Sequence, residues 1–102
     1  MWAICLHDQP KLIGTIVYWH IVKEQDEAEI GYEMLPQYRG NGIMQEALQK
    51  VIEFGFETMH LKTILADTRA DNLRSINLLE KCGFAKTGIV ENGYWIYFLS
   101  VC

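Results

Sequence analysis

A tight turn with two glycines, residues 40–42, lies between a strand pattern and a helix pattern, and it constrains the fold more than any other stretch. Residues 30–34 place large apolar side chains at the even positions only, which predicts a β-strand. Pro36 has no N–H to give to a sheet ladder, so the strand should end before it. After the glycines, apolar residues recur every three or four positions, which predicts a helix over residues 41–59.

The turn also has the features of an anion site. Gly40 and Gly42 lack a Cβ, so the backbone there can come close to a ligand. The first N–H groups of a helix have no partner inside the helix, and the helix dipole adds positive potential at the same end. We therefore predict that residues 39–44 present main-chain N–H groups to a phosphate. The alternative is a plain helix start in which the glycines only allow the tight turn.

Two common phosphate-binding motifs do not fit this turn. It has neither the Lys nor the Ser/Thr of a nucleotide P-loop. Gln45 stands where a dinucleotide fingerprint would have its third glycine. A phosphate ligand of another kind is therefore expected.

Composition excludes several function classes. The 102 residues, half of them hydrophobic and 22% charged, predict one globular domain with its own core. A formal net charge of −4 without a basic stripe argues against nucleic acid. The cysteines and histidines lack disulfide-framework and metal-ligand spacing, so no metal is expected. The longest apolar run, residues 12–22, is too short to span a membrane, and no signal-peptide pattern precedes it. We therefore expect a cytoplasmic protein without a membrane partner.

Strand and helix patterns alternate along the rest of the chain. The predicted strands cover residues 2–6, 11–22, 28–35, 62–68, 84–91 and 94–101. A second helix is predicted from Asp71 or Asn72 to Cys82, and its buried face should hold Leu73, Ile76, Leu79 and Cys82. The order is β-β-β-α-β-α-β-β, an α+β arrangement, and its central strand–helix–strand unit implies a parallel strand pair.

Two segments in this order resemble one family. Gln37-x-x-Gly40-x-Gly42, with Arg39 before the first glycine, resembles the acetyl-CoA signature of the GNAT superfamily of N-acetyltransferases. Residues 72–84 resemble the family's second motif, through Asn72, Ser75, Leu78, Glu80, Lys81, Gly83 and Phe84. The likeness covers residues 28–88. Its opening Ala-Glu-Ile-Gly-Tyr and its closing Leu-Glu-Lys-Cys-Gly-Phe are similar to the branch of ribosomal-protein N-terminal acetyltransferases, the RimJ/RimL type.

The resemblance implies a fold and an activity. The fold is three-layered, with a mixed and mostly antiparallel sheet, a central parallel strand pair and two helices. The implied reaction moves an acetyl group from acetyl-CoA to a primary amine, by direct transfer in a ternary complex and without a metal. A protein N-terminus, as on a ribosomal protein, is the favoured acceptor. Family members usually carry a strand and one or two helices before the position of Trp2, so residues 1–102 are expected to form one shortened domain.

The resemblance also implies a cofactor site. Met34 and Leu35 would offer backbone groups to the pantetheine arm. Asn72 would begin the second helix and bond the same arm, although a plain N-cap is the simpler interpretation. The pyrophosphate would be wrapped by Gln37, Arg39, Gly40, Asn41, Gly42, Ile43 and Met44.

Two residues are implied as catalytic. Glu29 would deprotonate the amine, with Glu33 as the alternative base; an ordinary exposed strand carboxylate is the competing interpretation. Many family members have a tyrosine acid at the position of Leu79, which leucine cannot replace. Ser75 is the substitute candidate, against a first-turn serine that only bonds the backbone locally.

Three other functions remain open. The chain could bind CoA without transferring an acetyl group, or it could acetylate a small-molecule amine such as a polyamine or an antibiotic. It could also be a structural fragment whose exposed sheet edge pairs with a second copy in a homodimer.

Overall fold

Six strands and two helices form the part of the chain that the computed structural model describes, residues 1–5, 12–39 and 42–100. The strands are β1 (Trp2–Cys5), β2 (Leu12–Val22), β3 (Glu27–Met34), β4 (Thr63–Arg69), β5 (Ala85–Glu91) and β6 (Tyr94–Ser100). The helices are α1 (Ile43–Glu57) and α2 (Leu73–Lys81). Short 3₁₀ turns, Lys23–Gln25 and Pro36–Tyr38, follow β2 and β3. The predicted order of elements is confirmed.

The strands form one mixed sheet in the order β1-β2-β3-β4-β6-β5. β3 and β4 are parallel, and the other neighbouring pairs are antiparallel. The sheet, its central parallel pair and the two helices confirm the predicted fold class. The parallel ladder is short, because its last pair is Glu29 with Leu65 while β3 continues to Met34 and β4 to Arg69. The two strands therefore separate beyond Glu29.

Both helices pack on the same face of the sheet. Tyr18 pairs with Ile30, and Ile16 with Tyr32, so the even-numbered residues of β2 and β3 share this face. Tyr18 contacts α1 through Val51, and Tyr32 contacts α2 through Ser75. The core between sheet and helices is centred on fully buried side chains of five elements, Ile16, Leu48, Ile64, Leu79 and Tyr97. The described residues thus supply the sheet and one helix layer of the expected three.

The opposite face of the sheet carries odd-numbered residues of β2 and β3, such as Val17 and Trp19. Trp19 pairs with Glu29 and Val17 with Gly31, and both the tryptophan and the valine are exposed. No helix among residues 1–5, 12–39 and 42–100 covers this face. Glu29 therefore points to the side of β3 away from α1 and α2.

Two expectations for the helices need correction. Leu73 was expected on the buried face of α2 but is 70% exposed, because it is the helix's first residue and lines the open cleft. Leu79 is fully buried, and Ile76 and Cys82 are half-buried against the core. α1 is shorter than predicted at both ends. Gly42, with a positive φ of 75°, is its N-cap and lies outside the helix, and Thr58 is its C-cap.

The predicted turns near the chain's end are confirmed. Gly83 follows α2 with a φ of 95°, which is the left-handed conformation that ends many helices. Asn92 and Gly93 have φ values of 52° and 82°, as the two central residues of a type I′ hairpin turn require.

Candidate active site

A cleft opens where β3 and β4 separate. Its volume is about 1160 Å³, and it is lined by the second half of β3, the turn before α1, the end of β4 and the start of α2. The parallel ladder ends at Glu29 and Leu65, so the facing edges of the two strands are spread apart along this cleft. The sequence predicted the strands but not their divergence, which creates the site.

The edge of β3 presents backbone groups to the cleft. In an antiparallel ladder, successive residues turn their N–H and C=O groups to opposite edges of the strand. Leu35 donates its N–H to the carbonyl of Ile13 on β2, at 2.8 Å. The groups of Met34, and two positions earlier those of Tyr32, therefore face the other edge and the cleft. Here an extended ligand can pair with β3 as an added strand would.

This geometry favours Met34 over Leu35 as a residue whose main chain can bind a ligand. Met34 lines the cleft, and its carbonyl accepts a hydrogen bond from Arg39 Nε at 3.3 Å. The N–H of Leu35 is taken by Ile13, and its carbonyl accepts from the N–H of Tyr38 at 3.0 Å. Leu35 borders a separate, smaller groove. The N–H and the carbonyl of Leu35 therefore both have hydrogen-bond partners within the protein.

The start of α1 has three main-chain N–H groups that precede the first bond within the helix. The first helical bond runs from Glu46 N–H to the carbonyl of Gly42, at 3.1 Å. The N–H groups of Ile43, Met44 and Gln45 precede it, so they have no partner inside the helix. Gly42 offers them no side-chain cap, and all four residues line the cleft. Gln45 was not predicted as a site residue, although its place in the first turn is the signal for it.

The other predicted phosphate contacts divide into three groups. Arg39 lines the cleft, but its main-chain N–H donates to the carbonyl of Pro36 at 3.2 Å, so only its guanidinium can serve an anion. Gln37 is exposed and does not line the cleft. Gly40 and Asn41 lie outside the described residues.

Asn72 and Ser75 lie on the opposite wall. Asn72 Oδ1 accepts a hydrogen bond from the N–H of Ser75 at 3.2 Å, which confirms the N-cap of α2. Both residues line the cleft. The Ser75 hydroxyl is 2.7 Å from the phenol oxygen of Tyr32, which the sequence had not indicated as a site residue. The signal for Tyr32 was its even position in β3, which places it on the helix side.

Burial raises the pKa of the Tyr32 phenol above its ordinary value of 10.0. The hydrogen bond with Ser75 lowers it in part, and the nearby Cys82 thiol raises it. Tyr32 is therefore protonated at neutral pH and can donate a hydrogen bond. Leu79, at the position of the family's tyrosine, is fully buried and does not line the cleft.

Glu29 and Ser75 lie on different sides of β3. Glu29 forms the last pair of the parallel ladder, at the apex where the strands separate, and its side chain is half-buried. Its Oε2 atom is 3.2 Å from Nδ1 of His20. Glu33 lines the cleft and is exposed. A reaction that uses both Glu29 and Ser75 therefore needs the reacting atoms to lie in the gap between β3 and β4.

Among residues 1–5, 12–39 and 42–100, no group of three or more His, Cys, Asp or Glu side chains has the arrangement of a metal site. Neither α1 nor α2 has the length and hydrophobicity that crossing a membrane requires.

Comparison with known proteins gives consistent matches. A family model of the acetyltransferase (GNAT) domain matches residues 1–85. The uncharacterized N-acetyltransferase YoaA of Bacillus subtilis is 39% identical over 90 residues, which are 88% of this chain and 51% of YoaA. The ribosomal protein uS5-alanine N-acetyltransferase of Escherichia coli is 31% identical over 86 residues, which are 83% of this chain and 44% of that enzyme.

A solved structure shows the same fold. The GNAT-family acetyltransferase from Bacillus anthracis superposes with a TM-score of 0.84 at 27% identity, over 96% of this chain and 64% of the other. The chain spans about half the length of the curated relatives it matches.

Proposed function

Because this chain belongs to the GNAT acetyltransferase family, we propose that its cleft binds acetyl-CoA and that the domain transfers the acetyl group to a primary amine. One observation carries the proposal. The free edge of β3 at Tyr32 and Met34 leads directly to the bare N–H groups at the start of α1. An extended amide chain with a phosphate end matches this sequence of donors and acceptors.

The ligand would lie along the cleft with its pantetheine arm on β3 and its diphosphate at the start of α1. Its pantetheine amides pair with the main chain of Tyr32 and Met34, and Asn72 faces the same arm from α2. Its diphosphate meets the N–H groups of Ile43–Gln45, where the helix dipole favours negative charge. The cleft is also lined by the cationic side chains of Arg39, Arg69, Arg74 and Lys81, which would add positive charge around the phosphates.

The chemistry is direct transfer in a ternary complex. The amine loses a proton to Glu29, or to Glu33, and its nitrogen attacks the thioester carbon. The C–N bond forms, the C–S bond breaks, and the sulfur leaves with the electron pair. The position of Glu29 in the last pair of the parallel ladder, where β3 and β4 separate, and its half-buried side chain support it as the base, whereas Glu33 is the one of the two that lines the cleft. The structure supports Ser75 near the sulfur through its place on the α2 wall.

A protein N-terminus is the acceptor we favour. A relative named for acetylating the alanine of ribosomal protein uS5 is 31% identical over 83% of this chain. Glu33 and Asp67 line the cleft as exposed carboxylates, and they would attract a protonated amine before it loses its proton.

Two measurements test the proposal. Calorimetry should show that the chain binds CoA. The affinity for dephospho-CoA, which lacks the 3′-phosphate, should then show how much the cationic side chains contribute to CoA binding. A thiol-release assay with acetyl-CoA should then give turnover with a short peptide that begins with alanine and mimics a protein N-terminus. Turnover only with spermidine, or with another small amine, would replace the proposed acceptor. Binding without turnover for any amine would identify a CoA-binding domain without transferase activity, and no binding would refute the site.

A further inference from the structure

The contact between Tyr32 and Ser75 joins the two walls of the cleft. Tyr32 comes from β3 and Ser75 from the first turn of α2, 43 positions later, and their oxygens are 2.7 Å apart. Both residues line the cleft and both are half-buried. A hydrogen bond this short, between two hydroxyls that can each donate or accept, gives a continuous path for a proton.

The position of this contact suits the sulfur of the proposed ligand. The main chain of Tyr32 lies two residues closer than Met34 to the point where β3 and β4 separate, and the acetyl group of the proposed ligand meets the amine there. A thioester that follows the β3 edge therefore ends beside Tyr32 and Ser75. Leu79 cannot take part, because it is fully buried in the core.

Acid strength separates the two hydroxyls. A serine hydroxyl is a much weaker acid than a thiol, so Ser75 alone would give its proton to a thiolate only against a large free-energy difference. A phenol is a far stronger acid than an aliphatic hydroxyl, and it remains one at Tyr32 although burial raises the pKa there above the ordinary value of 10.0, so proton transfer from tyrosine to sulfur has a much smaller free-energy cost. The phenol is therefore the better source of the proton.

Resting on the proposed function, we propose that Tyr32 supplies the proton that the departing CoA sulfur takes up, and that Ser75 passes it on. As the C–S bond breaks, the Ser75 O–H proton moves to sulfur and gives the free thiol. Ser75 takes the Tyr32 proton in the same step, which leaves a phenolate. The proton released by the amine returns through solvent to Tyr32, so the acetyl transfer is balanced without another reactant.

The groups around Tyr32 affect the pH at which its phenol loses a proton. From α2 it faces Ser75 and the Cys82 thiol, which burial keeps protonated by raising the pKa of that thiol. The charged groups around the same cleft are Glu33, Arg39, Asp67, Arg69, Asp71, Arg74 and Lys81. Arg69 is paired with Asp71 at 3.3 Å, and the remaining charges carry both signs.

Variants of the full chain test the relay. Tyr32→Phe should lower kcat for thiol release about 100-fold, within the usual range for loss of a general acid, and should leave the Kd for acetyl-CoA within about twofold. Ser75→Ala should lower kcat to a similar extent, and Ser75→Thr should restore it. The double variant should be no slower than the slower single one, because the two residues act in one path. Tyr97→Phe, a buried tyrosine outside the cleft, is the matched control and should keep full activity.

The pH profile separates proton donation from packing. Wild-type kcat should fall at alkaline pH as Tyr32 loses its proton, and Tyr32→Phe should lack this limb. A Tyr32→Phe variant with wild-type kcat refutes the relay while leaving the transferase assignment in place, and so does one with low kcat whose alkaline limb persists at pH values where circular dichroism shows it to be folded. A wild-type chain that binds CoA but transfers no acetyl group refutes both.

Discussion

Tyr18 donates a hydrogen bond from its phenol to the main-chain carbonyl of Val51 across 2.7 Å, which ties β2 to the third turn of α1. Gly55, one turn later, lies against the same phenol: a Cβ built there would come within 2.9 Å of Tyr18 Cζ. The absence of a side chain at Gly55 is what lets the ring reach the helix. This contact fixes the position of α1 on the sheet, and the first residues of α1 line the cleft.

Tyr18→Phe should lower the free energy of unfolding by about 1–2 kcal/mol, because a buried carbonyl loses its donor. Urea unfolding measures this. CoA affinity should change little, since Tyr18 does not line the cleft. An unchanged unfolding midpoint would mean that water replaces the phenol as donor.

Alkaline pH should weaken the wild-type fold more than the Tyr18→Phe variant. Burial raises the pKa of Tyr18 above 10.0 in the folded state, so its contribution is fully present below pH 10. Above pH 10 the unfolded chain loses this proton first, and stability falls as pH rises towards the folded-state pKa. The difference in unfolding free energy between the two proteins, measured from pH 8 to 11, should shrink with pH. A constant difference would contradict the assignment.

Gly55→Ala should destabilise the protein by about 1–3 kcal/mol, although alanine is the better helix former. The reason is the clash of the new Cβ with the Tyr18 ring and with Leu61 Cδ1, at 3.2 Å. The same substitution should cost less in a Tyr18→Phe background, where the phenol oxygen is gone. Equal costs in both backgrounds would show that the phenol oxygen is not the obstacle.

Gly42→Val should weaken CoA binding at least tenfold, by about 1.4 kcal/mol or more. The φ of 75° is strained for valine, and the added side chain would enter the cleft at the helix start. Gly88→Val is the matched control: its φ is 88°, its Cβ would likewise meet nothing within 4 Å, and it does not line the cleft. Both variants should lose similar stability, and only the first should lose CoA affinity. Equal affinities would mean that the phosphates bind elsewhere.

Glu29→Gln should slow acetyl transfer about 100-fold at neutral pH while CoA affinity stays unchanged. The amide keeps the shape of the carboxylate but cannot accept the amine's proton. Glu33→Gln, made in parallel, identifies the base: if this variant loses the activity and Glu29→Gln keeps it, Glu33 is the base. Steady-state thiol release and calorimetry give both quantities.

Local pattern was enough to predict the elements and several of their ends. Period-two and period-3.6 spacing placed every strand and helix in order, and Gly83 and the Asn92–Gly93 pair predicted their turns because each depends on one backbone conformation. Ser75, which lines the cleft, was predicted from the resemblance of residues 72–84 to a family motif, which is again a short segment. These features depend on neighbours within a few positions along the chain.

The site itself depends on contacts that no short segment contains. Strand parity gave the faces of β3, but where its ladder with β4 stops, and therefore which edge is free, depends on how the whole sheet twists over its helices. The N–H groups of Leu35 and Arg39 donate to carbonyls of the protein itself, which the spacing of residues along the sequence could not show. Tyr32 meets Ser75 only because β3 and α2 pack together across 43 positions. Sequence alone therefore determined the elements and their order, and tertiary packing decided which of their polar groups remain for a ligand.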